Sequence, residues 1–182
     1  MRRSIEDAFT DLRAYLANWA RSGAKPGVRI FVYPPEWEAR MLARFPSFAE
    51  ECASVCPVSL VDVGEGFLGE CERRSGFVEQ LTAVERDRPT RPLHDLGVVA
   101  RRYLERLFAA PLEEPFRARL LVNLGALATL VSYSTIANGL DEGGPDGSLA
   151  GPTVLAFPGE GDDRSLNLMR LRADTNYRVP RI

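Results

Sequence analysis

His94 is the single histidine of this 182-residue chain, and it limits the chemistry the sequence can carry. A nucleophile activated by imidazole would need it. It follows Pro92 beside Asp95 at an expected helix start, far along the chain from any serine at a strand end, and reads as a polar helix-start residue. Lys25 is the only lysine and lies in the turn-like Gly23-Ala24-Lys25-Pro26-Gly27. A Schiff base, a lysine-dependent nuclease core and a Walker A phosphate loop all lack their lysine, and G-x-x-x-x-G-K is absent. Cys52 and Cys56 stand one helical turn apart, but Cys71 and His94 complete no zinc spacing. Free thiols in a reducing compartment, with no metal, are the expectation.

Two patterns remain. Asp62, Glu65, Glu160, Asp162 and Asp163 fall at or near the ends of expected strands, the arrangement a magnesium-dependent hydrolase uses. Gly64, Gly66 and Gly69 have the G-x-G-x-x-G shape of a dinucleotide turn. That shape follows the second expected strand, and Glu65 and Glu70 would repel a pyrophosphate there. No cofactor is expected.

The elements that must position these residues alternate. Ser4 can cap a first helix whose Ile5, Phe9, Leu12, Leu16 and Trp19 form one apolar stripe, with Gly23 closing it. Residues 28–33, VRIFVY, read as a strand ended by Pro34-Pro35. The second proline can open a helix that turns Trp37, Met41, Leu42 and Phe45 to the sheet. Residues 58–63 read as a second strand, Gly64-Glu65-Gly66 as its exit turn, and 67–86 as one charged helical stretch. After the break at 89–92 a helix begins near Leu93. Its expected buried stripe is Leu93, Leu96, Ala100, Tyr103 and Leu107; Arg101, Arg102, Glu105 and Arg106 form its wet face.

Residues 120–124 then read as a strand buried on both faces and ended by Gly125, followed by a helix-compatible run over 126–140. Residues 141–151 are loop by composition. In PTVLAFPGEG, residues 153–157 read as a fourth strand, stopped by a Pro158-Gly159 turn, with Glu160 as a turn residue. Residues 166–171 can supply a fifth strand, and 176–179 an extended segment. Strands alternating with helical stretches predict an α/β fold: one three-layer domain over 1–182, with a mostly parallel sheet of about five strands and helices on both faces. Sites in such folds lie beyond the carboxyl ends of the strands.

Composition narrows the classes further. Apolar residues make up 45% and charged residues 26%, as in ordinary soluble proteins, and the net charge of −2 favours neither nucleic acid nor anionic membrane. Met1-Arg2-Arg3-Ser4 leads into Glu6 and Asp7 rather than an apolar run, so the chain reads as cytoplasmic, without a signal peptide or a membrane span.

Three segments carry a resemblance. PTVLAFPGEGDDRSLNLMRLRADTNYRVPRI, at 152–182, resembles the ending of the BrxB family of bacteriophage-exclusion (BREX) systems, with Pro158-Gly159, Leu166, Leu168, Leu171, Asn176, Tyr177 and Arg178 in the family's places. FVYPPEWEARMLARFPSFAEE followed by VSLVDV is similar to the family's first strand, Tyr-x-Pro-Glu helix start and second strand, and LLVNLGALATLV to its buried strand and Gly-x-Leu turn. Residues 129–134 depart from the aromatic-Leu-Arg pattern expected there, and 67–108 offer no match. The resemblance implies a fold related to nucleotide-binding domains but lacking a P-loop. It also implies a non-catalytic adaptor of an anti-phage system, binding a PglZ-like protein within machinery that includes a methyltransferase and a large ATPase.

The expected contact surface is the carboxyl edge of the sheet and the face of Arg101, Arg102, Glu105 and Arg106, with Tyr177 and Arg178 of the C-terminal segment. Direct nucleic-acid binding is not expected. The alternative is a metal- or nucleotide-dependent enzyme built on Asp62, Glu65 and Glu160.

Overall fold

The computed structural model describes residues 4–22, 27–74, 76–85, 91–127, 129–131, 151–161, 166–168, 172–174 and 182. Helix α1 (Ile5–Ser22) begins with a reciprocal cap: the Asp7 N–H donates to Ser4 Oγ at 3.1 Å, and the Ser4 N–H to Asp7 Oδ2 at 2.9 Å. Strand β1 (Val28–Tyr33) runs into a 3-10 turn over Pro35–Trp37 and then α2 (Glu38–Cys52). Strand β2 (Val58–Asp62) passes directly into α3 (Val63–Glu72), followed by α4 (Phe77–Glu85) and α5 (Arg91–Ala109). Strand β3 (Ala118–Val122), a 3-10 turn over Leu124–Leu127, and strands β4 (Thr153–Gly161), β5 (Leu166–Leu168) and β6 (Arg172–Asp174) complete the described elements.

Four strands form a parallel sheet in the order β2-β3-β4-β1, so the chain leaves β1 for the far edge and returns strand by strand. Crossovers of one hand running in opposite directions land on opposite faces, and the two cores show this. Phe31, Tyr33, Val58, Leu120, Val154 and Ala156 pack against α1 and α2. Val28, Ile30, Leu121, Leu155 and Phe157 pack against α3, α5 and the turn after β3. The alternation along each strand thus fills both outer layers, the three-layer α/β arrangement expected. Met41 and Phe45 face the sheet from α2 as predicted, with Trp37 and Leu42 half-buried beside them.

Several local expectations need correction. Pro158-Gly159 is not a turn: β4 runs through it, and Gly159 to Gly161 pair antiparallel with β5, which pairs in turn with β6. Pro158 lies opposite Tyr33 at the last parallel position, where the ladder ends and a missing N–H costs least. Gly64-Glu65-Gly66 is not an exit turn but the first turn of α3. The stretch 67–86 divides into two helices at Gly76, which takes φ +71°. Strand β3 lies two residues earlier than expected, because Asn123 adopts φ +57° and ends it. Leu93 is 59% exposed; Val99 and Leu104 fill the buried stripe instead, with Ala100. The expected helix-compatible run from 132, the 141–150 loop and the 176–179 segment lie outside the described residues.

Candidate functional site

The carboxyl ends of β1 to β4 collect the polar residues that the sequence singled out. Asp62 closes β2 in extended geometry, and its Oδ1 accepts the Glu65 N–H at 2.8 Å, capping α3. The same oxygen accepts Asn123 Nδ2 at 2.9 Å. Asp62 pairs with Val122 across β2 and β3, so Asn123 is the next residue beyond the ladder. Its left-handed backbone, which asparagine tolerates better than most residues, brings its amide back to the carboxylate. One carboxylate therefore ties the end of β2, the start of α3 and the exit of β3.

The glycines of the G-x-G-x-x-G pattern serve this packing. A Cβ on Gly64 would overlap the Asn123 side-chain amide, and one on Gly66 would overlap Tyr103 Oη. Gly64 and Gly66 allow close approach of α3 to the exit of β3 and to α5. The loop after β1 carries Pro34 and Pro35, neither with an N–H to offer an anion, and acidic Glu36 and Glu38.

Tyr33 and Glu38, which sequence reasoning did not single out, meet beside this loop. Burial raises the Tyr33 phenol far above its ordinary range, and the adjoining Glu38 carboxylate raises it further, so Tyr33 is a neutral hydroxyl. Burial also raises Glu38; contact with Tyr33 opposes this and the Asp62 charge adds to it. The two side chains adjoin without an aligned hydrogen bond: Tyr33 Oη and Glu38 Oε2 are buried and make none to a described residue. The Tyr103 phenol, on the other face, is also raised by burial and by Asp62.

Glu65 and Glu160 are exposed, and among the described residues no three His, Cys, Asp or Glu side chains converge as a metal-binding group. The carboxylates Asp62, Glu65 and Glu160 of the enzyme alternative are thus not gathered into such a group. Cys52, Cys56 and Cys71 are buried free thiols. Asp162 and Asp163 lie outside the described residues.

A second region lies on α5. Arg106 is paired across to α3: its Nη2 reaches Glu70 Oε1 at 2.8 Å, and Arg73 and Arg74 bond the same carboxylate at 3.1 and 3.2 Å. Hydrogen bonds from Arg106 and then Arg73 lead in holding Glu70 down at about 2, far below its ordinary range. Arg101, Arg102 and Glu105 instead face outward, making no ion pair with a described residue. They line a half-open groove of about 330 Å³ together with His94, Val98 and Leu130. Leu93 and Gly97 complete it, and the Leu130 carbonyl packs on α5 there, 3.0 Å from where a Cβ on Gly97 would stand. Of the expected contact residues, the structure gathers Arg101, Arg102 and Glu105, ties Arg106 to Glu70, and leaves Tyr177 and Arg178 outside the described residues. Leu93 escaped the sequence reading because two overlapping apolar stripes share Leu96, Ala100 and Leu107, and only packing selects between them.

Among the described residues no helix is long and apolar enough to cross a membrane. Comparison with protein-family models, with curated proteins and with solved structures finds no match in any of the three.

Proposed function

We propose that this chain is a non-catalytic interaction subunit of a BREX-like anti-phage system, acting in the cytoplasm and binding a PglZ-like protein. The observation that carries the reading is how the polar residues are divided between two places. At the strand ends, where an α/β enzyme would assemble its reagents, Asp62 and Asn123 are committed to holding β2, α3 and β3 together. On the outer face of α5, Arg101 and Arg102 stand beside exposed Leu93 and Val98, a combination suited to a protein surface. The ordered resemblance of the first strand, the buried strand and the C-terminal segment to the BrxB family supplies the biological setting.

Co-expression with a PglZ-like protein tests the reading. A stoichiometric complex that survives size-exclusion chromatography is expected. A chain that elutes by itself while the PglZ-like protein is folded and present would count decisively against it.

A further inference from the structure

The groove on α5 has a length, a floor and a charge pattern that narrow what it can hold. Leu93 and Glu105 are its ends on the helix, and at 1.5 Å rise per residue it spans about 18 Å, some three helical turns. His94, Val98, Arg101 and Glu105 recur at spacings of four, three and four, so they form one continuous face rather than scattered positions. Leu93 and Val98 are 59% and 40% exposed and give the groove an accessible aliphatic surface beside its charges. Gly97 lets the Leu130 carbonyl come within 3.0 Å of its missing Cβ, so the Leu130 turn packs directly on α5 at the groove.

From this we infer that the α5 groove docks an acidic amphipathic helix of a protein partner. The inference rests on the interaction-subunit reading and deepens it by assigning the surface and the chemistry of what it binds. The partner's apolar anchors lie on Leu93, Val98 and Leu130, and its carboxylates reach Arg101 and Arg102, whose guanidinium forks can donate to them in bidentate geometry. Glu105 sits one turn beyond Arg101 and sets the direction: a cation on the partner belongs at that end. A nucleic-acid strand fits less well, because Glu105 repels phosphate and, His94 apart, the lining is aliphatic or charged and offers no ring for successive bases to stack on.

Methyl NMR on the full chain provides the test. The probes are a helical peptide of about 12 residues, long enough for the groove, with leucines on one face flanked by glutamates, and its counterpart with lysine at each glutamate. The acidic peptide is expected to shift the methyls of Leu93, Val98 and Leu130 selectively. R101E/R102E is expected to weaken its binding by about tenfold or more. No shift at those methyls, equal shifts with the lysine peptide, or preference for a single-stranded oligonucleotide of similar length overturns the inference. If the acidic peptide binds the groove but no complex forms with the PglZ-like protein, the proposed function fails and the docking surface stands. If that complex forms and R101E/R102E leaves it intact while the peptide ignores the groove, the docking surface fails and the function stands.

Discussion

Tyr103 and Gly66 show how closely single atoms decide the packing around α3. The phenol oxygen lies where a Cβ on Gly66 would stand, and the ring carbon bearing it would be 3.0 Å away. Gly66→Ala must therefore push Tyr103 aside, at a cost of about 1–3 kcal/mol for overpacking. Tyr103→Phe removes the nearest atom, so it should recover much of that loss when combined with Gly66→Ala. Urea unfolding of the two single variants and the double variant measures the coupling, and purely additive losses would contradict this account. At this scale the sequence was legible by type and misleading by pattern. Gly64, Gly66 and Gly69 match a nucleotide-binding motif, yet the first two are small because Asn123 and Tyr103 approach them, and no local pattern reports a contact from 37 or more positions downstream. Asn123 itself was readable only in outline: asparagine at a strand end is consistent with φ +57°, but its bond to Asp62 depends on the parallel pairing of β2 with β3.

At the scale of elements, Arg119 joins β3 to α5. Arg119 is 6% exposed, and its guanidinium donates to the carbonyls of Leu107 at 2.9 Å and Ala110 at 2.6 Å, with Pro111 at 3.3 Å. It thus satisfies carbonyls at the C-terminus of α5 that have no partner within the helix, and its charge complements the negative end of the helix dipole. Arg119→Met keeps much of the volume and leaves those carbonyls without their donor, which should cost about 2–4 kcal/mol in chemical denaturation. Arg119→Lys keeps the charge but not the planar fork, so it should recover less than half of the loss; full recovery would mean that charge alone matters. Arg119 lies next to the run taken from sequence for the strand, and neither its burial nor its role was legible, because both require α5 to end against β3.

The Glu70 cluster ties α3 to α5 through Arg106 and carries a pH signature. Arg106, Arg73 and Arg74 hold Glu70 at about 2, whereas an unfolded glutamate titrates near its ordinary value of about 4.3. The folded state therefore gains from the charged form above about pH 4.3, and this gain is lost as pH falls through that value towards 2. Glu70→Gln should lower the melting temperature at pH 7 and converge on the parent protein towards pH 2. Arg73 and Arg106 are 70% and 56% exposed, so added salt should shrink the difference. A melting-temperature gap that persists undiminished at pH 2 would contradict this assignment.

Across the whole molecule, layering was the most legible property. Short apolar strands alternating with amphipathic helices imply a parallel sheet covered on both faces, and the β2-β3-β4-β1 sheet with α1 and α2 on one side and α3 to α5 on the other is that arrangement. The strand order was not legible, because each apolar run can pair with any other and only the assembled crossovers decide. The run through Pro158-Gly159 was hidden for a related reason: proline and glycine signal a turn in isolation, but here β1 supports β4 up to Pro158 and β5 takes over from Gly159. The groove on α5 was half visible, since its arginines declared themselves while its leucine was assigned to the core.

The central claim is that Asp62 and Asn123 fasten the strand ends while the outer face of α5 meets the partner. Equilibrium binding to the PglZ-like protein by the parent chain, Asp62→Asn and R101E/R102E tests it most directly. Asp62→Asn should lose about 0.3–1 kcal/mol of stability through the lost negative charge at the N-terminus of α3 and bind within about twofold of the parent chain. R101E/R102E should keep its melting temperature and bind about tenfold or more weakly. The converse result, binding lost with Asp62→Asn in a folded protein and unchanged with R101E/R102E, would contradict the account and move the working surface to the carboxyl edge of the sheet.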